Sequence, residues 1–121
     1  MRSLAQIVAC DIHPLQNLRV LKYLSEEIGV TDEQRLEWYL NWIRLGFAAL
    51  EARLAGDPAT GVFCHGDRPG MADLLLIPQV YNARRFDCDM TAYPTLIRIN
   101  EACLALEAFR LAAPEAQPDA S

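Results

Sequence analysis

Apolar residues recur along most of this chain at helical spacing, and nowhere do they alternate as a half-buried strand requires. Leu36, Leu40, Ile43, Phe47, Leu50 and Leu54 follow one another in steps of four and three, which places them on one side of a long helix. Thr31-Asp32-Glu33-Gln34 just ahead of that stripe has the form of a capping box and predicts the helix start. Upstream, a first helix is expected from about Ser3 to Cys10. Asp11-Ile12-His13-Pro14 interrupts it, because Pro14 suits the first turn of a new helix and pushes His13 out of the α region. The second helix is expected to run to about Glu27, stop near Gly29, and bury Leu15, Leu18, Leu21, Leu24 and Ile28. Gly46, inside the third helix, predicts close packing against the helix that follows. Residues 56–70 read as a loop.

From Met71 to Tyr81 nearly every position is apolar, which predicts a helix with no wet face at the centre of the bundle. Gly70 stands at its N-cap, and Asp73 is spaced to reach back to the cap amide; Pro69 and Leu74 are spaced for a hydrophobic staple. Pro78 inside this helix predicts a bend, and the helix leaves at Arg84-Arg85-Phe86. Tyr93-Pro94 restarts helix, with Leu96, Ile99, Cys103 and Leu106 expected inward. Residues 114–121 read as an extended tail. The pattern as a whole predicts an all-α bundle of about five or six helices over residues 1–113.

A length of 121 residues suits one domain with one core, and 52% hydrophobic residues with mean hydropathy near zero fit a globular chain. No apolar run approaches the roughly 18 residues of a membrane span, and Gln6 interrupts the short apolar N-terminus. A net charge of −5 argues against nucleic acid as the main partner. Cys10, Cys64, Cys88 and Cys103 are widely spaced, as expected for reduced thiols in a cytoplasmic protein. Cys64-His65 has no second ligand pair to complete a metal site. Neither histidine has a serine near it in sequence, so no nucleophile–base pair is predicted and no catalytic residue is assigned. What remains is a small set of anion binders. His13 is expected in the N-cap region of the second helix, beside free amides and the positive end of the helix dipole. Gln16, Arg19 and Tyr23 are expected to share a polar face with it. Arg85 leaves the central helix close to Asp87 and Asp89. Each also has a plain structural reading: His13 as a cap, Arg19 as a solvated cation, Arg85 as one half of an ion pair.

The string Met71-Ala-Asp-Leu…Pro78-Gln-Val-Tyr-Asn-Ala-Arg-Arg-Phe86 resembles the C-terminal helical domain of zeta-class glutathione transferases. Asp11-Ile-His-Pro-Leu-Gln-Asn-Leu-Arg-Val-Leu21 and Ala108-Phe109…Pro114…Gln117-Pro-Asp119 agree, so the resemblance covers essentially the whole chain. One position departs from it: Gly70 stands where the family has Ser or Thr, which keeps the acid of the capping box and loses the hydroxyl. The class contains the maleylacetoacetate and maleylpyruvate isomerases. The resemblance implies a glutathione-dependent cis–trans isomerase, a homodimer, and a small dicarboxylate substrate. It implies that Arg85 holds a substrate carboxylate and that His13 contacts glutathione. It also implies that Arg19, together with His13, favours the maleylpyruvate type over the maleylacetoacetate type. Two guanidinium forks suit a compact dianion. The family's thioredoxin-like N-terminal domain, which activates the thiol, has no counterpart in these residues, so the chain alone is expected to be inactive. A non-catalytic dimerisation or docking module of the same architecture is the competing expectation.

Overall fold

A computed structural model describes residues 1–120; Ser121, the last residue of the expected tail, lies outside them. Helix α1 (Arg2–Gln6) passes into a wider π-helical segment, Ile7–Ile12, and then into a tight 3-10 turn, His13–Gln16. Helix α2 (Leu18–Tyr23) likewise passes into a π-helical segment, Leu24–Ile28, and stops at Gly29, whose φ of 79° is left-handed. The long α3 (Asp32–Gly56), α4 (Met71–Arg85), α5 (Pro94–Leu104) and the short α6 (Glu107–Leu111) complete an all-α bundle, with no strand among the described residues. No helix of the described residues is long and apolar enough to cross a membrane.

The α3 stripe forms the middle of the core. Leu40, Ile43, Phe47, Leu50 and Leu54 are buried, whereas Leu36, near the start of the helix, is exposed. Both bonds of the capping box are made: Gln34 N–H donates to Thr31 Oγ1 and Thr31 N–H to Gln34 Oε1. Gly46 is a close-packing glycine, but its neighbour is not α4. A Cβ there would overlap Cγ1 and Cδ1 of Ile12, so the glycine lets the π-helical segment lie against α3.

Helix α4 corrects the expectation of a helix without a wet face. Ala72, Asp73, Leu76, Gln79, Val80 and Ala83 are buried, while Met71, Leu74 and Pro78 stand exposed on the opposite side. Pro78 deprives the Leu74 carbonyl of its helical donor, and both residues lie on the exposed side of the helix. The staple is absent, since Pro69 and Leu74 are both exposed and the Met1 thioether lies over Gly70 instead. Asp73 does reach back: its carboxylate accepts from Gly70 N–H at 2.8 Å and also from Cys64 N–H at 2.9 Å, tying the 57–70 loop to the helix start.

The second helix also differs from its expectation. Leu24 is buried, but Leu18 and Ile28 are 66% and 61% exposed. The 3-10 turn delays α2 to Leu18, and the π-helical turns after Tyr23 change the phase again, so one 3.6-residue period does not carry across residues 14–28. In α5, Leu96, Ile99 and Cys103 are buried, whereas Leu106 is exposed as the N-cap of α6. The tail is not extended throughout. Pro114–Ala116 form a 3-10 turn, and Gln117 Nε2 donates to the carbonyls of Leu111 and Ala113.

Candidate functional site

His13 is not the cap of the second helix. It opens the 3-10 turn, exposed, and the cap is Asn17, whose side chain accepts from Arg19 N–H at 3.0 Å. The dipole argument for an anion at His13 therefore fails: α2 begins at Leu18, and the Asn17 side chain caps its Arg19 amide. His13 is tied to α4 instead. Gln79 Nε2 lies 3.3 Å from His13 Nδ1, and Gln79 Oε1 accepts from Gln16 Nε2. Gln16 and Gln79 are both buried, so Gln16 does not share an exposed polar face with Arg19 and Tyr23. A polar side chain on the core face of a helix is costly unless it is hydrogen-bonded. This pair is satisfied largely by one another and by His13.

Arg19 is exposed in the first turn of α2, and its guanidinium has no carboxylate partner among the described residues. Arg85 is exposed at the end of α4. It forms no ion pair with Asp87 or Asp89 among the described residues; Asp89 accepts from Thr91 instead. The Arg85 guanidinium carbon lies 5.8 Å from the Phe86 ring centroid, and Phe86 packs on Tyr39 with centroids 4.4 Å apart. Burial pushes the Tyr39 phenol up, and the positive charge of Arg85 acts against that shift. The aromatic pair thus lies beside a guanidinium that has no carboxylate partner among the described residues.

Arg85 also borders a cavity of about 750 Å³. Its lining comes from Pro78, Tyr81, Asn82 and Arg84 of α4, Asn100 and Leu104 of α5, and Phe109 with residues 112–115. The lining is mainly apolar with a few polar groups. Asn100 is only 2% exposed, and its Nδ2 has no partner among the described residues. Pairing with the Glu115 carboxylate pushes the Tyr81 phenol up and draws the Glu115 carboxyl down, and both residues line the cavity. His13 and Arg19 do not line this cavity. The structure therefore links His13 to α4 through Gln79 and sets Arg85 on the cavity, but does not gather all three expected residues in one pocket. Sequence reasoning missed Gln79 and Asn100. Their signal was available: each is an amide at a helix position whose neighbours one turn away are core residues.

No family model matches the sequence. The chain is 49% identical to the maleylpyruvate isomerase of Ralstonia sp over 121 residues, covering all of this chain and 57% of that protein. It is 50% identical over 120 residues to the Vibrio cholerae protein named "Probable maleylacetoacetate isomerase", covering 99% of this chain and 55% of the relative. Among solved structures it superposes on a holo maleylpyruvate isomerase, a bacterial zeta-class glutathione transferase, with a TM-score of 0.96 at 49% identity, covering 99% of this chain and 57% of that one. The chain corresponds to the C-terminal helical part of the zeta-class glutathione transferases. It spans about half the length of the curated relatives it matches. A further neighbour, a maleylacetoacetate isomerase from Methylobacterium extorquens AM1 with a TM-score of 0.95 and 46% identity, was solved with malonate and glutathione bound; this chain is covered to 99% and that one to 56%.

Proposed function

We propose that this chain is the substrate-holding half of a glutathione-dependent cis–trans isomerase acting on maleylpyruvate, with maleylacetoacetate as the alternative substrate. The observation that carries the reading is Arg85, a guanidinium without a carboxylate partner among the described residues, braced on Phe86 at the edge of the cavity. The donor set suits a carboxylate-bearing tripeptide and a dianionic substrate: His13 offers a ring nitrogen, and Arg19 and Arg85 offer planar forks. When bound, glutathione supplies the thiolate that adds reversibly to the cis double bond.

The chain's own residues act on charge and position. Arg85 holds one substrate carboxylate at the cavity edge; the second is assigned to Arg19 by the family resemblance, since Arg19 lies outside that cavity. Their fixed positive charge favours the electron density that builds toward the carboxylate and keto oxygens as the double bond is opened. His13 holds glutathione from the 3-10 turn. The apolar walls of the cavity, Ile77, Val80 and Phe109 among them, keep water from the reacting carbons. The exposed Met71, Leu74 and Pro78 of α4 suit contact with the half of the fold that the relatives carry beyond these residues.

The test is ligand binding read at the arginines. The chain is fused to the N-terminal portion of the Ralstonia relative and titrated with malonate in the presence of glutathione. The guanidinium signals of Arg85 and Arg19 should shift in NMR spectra, and Arg85→Ala should abolish saturable malonate binding. Shifts confined to other arginines would sink the reading.

A further inference from the structure

His13 and the two glutamines behind it form a chain of amides whose polarity has a consequence for the imidazole. Gln16 Nε2 donates to Gln79 Oε1, so the Gln79 amide turns its Nε2 toward His13 Nδ1, 3.3 Å away. An NH₂ group has no lone pair to offer, so Nδ1 must be the acceptor and the ring proton must sit on Nε2. Reversing both amides would give the opposite tautomer. That arrangement would leave both hydrogens of the buried Gln16 Nε2 without an acceptor. In the observed one only Gln16 Oε1 lacks a partner among the described residues. Orphaned buried N–H groups are rarer than under-satisfied carbonyls, which favours the observed polarity.

We propose that Gln79, oriented by Gln16, is a positioning residue that locks His13 in the Nε2–H tautomer with its donor turned away from α4. The exposed ring edge then accepts only ligands that bring an oxygen acceptor, a carboxylate or amide carbonyl. Because this rests on the proposed role of His13 toward glutathione, it assigns that contact to one of the tripeptide's carboxylate or carbonyl oxygens rather than to its thiol or amine. Gln79 touches no ligand; it acts through His13. The arrangement also explains why the core face of α4 holds an amide, with 2% exposure, where a leucine would pack at less cost.

The experiment is long-range ¹H–¹⁵N NMR of the imidazoles in the full chain without ligand, at a pH where histidine is neutral. The chain has only two histidines, and His65→Asn identifies the signals of His13. The expected result is a single tautomer, with the proton on Nε2. Gln79→Glu should move the proton to Nδ1, since a carboxylate must accept. Gln16→Met removes only the group that orients Gln79 and guards against a Gln79→Glu chain that does not fold. It should let both tautomers average. Wild-type nitrogens that already average, or a spectrum unchanged in both variants, would overturn the proposal. In the fused enzyme, Gln79→Glu should raise KM for glutathione about tenfold with a smaller change in kcat, the size expected for one lost hydrogen bond to a charged group. The tautomer is read without glutathione, so it stands or falls apart from the proposed activity. A moved proton with an unchanged KM would overturn the contact between His13 and glutathione.

Discussion

Single residues decide more here than their chemistry alone suggests, and Asp73 is the clearest case. It is 1% exposed, and its two oxygens satisfy two amides from different segments, Gly70 at the cap and Cys64 in the loop. Removing the carboxylate leaves both donors without an acceptor, at about 1–3 kcal/mol for each buried group. Asp73→Ala is expected to lower stability by about 3 kcal/mol in urea titration, and Asp73→Asn, which keeps one acceptor, by about half of that. The Asp73 reach was legible from the three-residue spacing. The second bond to Cys64 was not, because spacing along a helix says nothing about which loop folds over its start. His13 shows the opposite limit. Its place before Pro14 suggested a helix cap, but Asn17 competes for that role with a short side chain that reaches Arg19 N–H, and the chain takes a 3-10 turn before it.

At the scale of elements, regular periodicity was read correctly over most of α3, apart from Leu36 near its start. The α3 stripe from Leu40 to Leu54 is buried as its spacing demands. In the second helix the errors fall where the winding changes: the 3-10 turn at His13–Gln16 delays α2 and leaves Leu18 exposed, and the π-helical turns at Leu24–Ile28 leave Ile28 exposed. Uniform apolarity hid the outer face of α4, since an apolar run without polar contrast does not say which side of the helix turns to the core. Packing between elements is testable at Gly46. Gly46→Ala must displace Ile12 and is expected to cost about 1–3 kcal/mol. In an Ile12→Ala background the same change should be neutral or stabilising, because the clash is gone and alanine favours helix. Equal costs in both backgrounds, measured by a thermal or urea double-mutant cycle, would contradict the contact.

Across the whole molecule, the four cysteines are free thiols; Cys10 is exposed and Cys64, Cys88 and Cys103 are buried. A thiol reagent should therefore label one cysteine in the native state and four after denaturation. Burial, with the charge of Asp73 adding to it, pushes the Cys64 thiol up and the Cys103 thiol to about 12. The unfolded chain ionises these thiols first, so their contribution to stability is complete below pH ~8.5 and is lost as pH rises toward 12. Urea midpoints should fall over that range. The bundle itself was legible in the sequence, because helix period, caps and breakers agree over most of the chain. The candidate site was legible only as separate residues: Arg85 and His13 belong to different elements, and only the tertiary fold shows Gln79 joining the His13 turn to the helix that carries Arg85. The same scale holds the central claim, that this chain supplies the arginine grip on a dianionic substrate.

The most direct measurement of that claim is kcat/KM for maleylpyruvate isomerisation with glutathione, using the chain fused to the N-terminal portion of its Ralstonia relative. The account predicts an active fusion that loses about a hundredfold in kcat/KM in Arg85→Ala and falls also in Arg19→Ala. A well-folded fusion that is inactive, or one indifferent to the loss of Arg85, would contradict it.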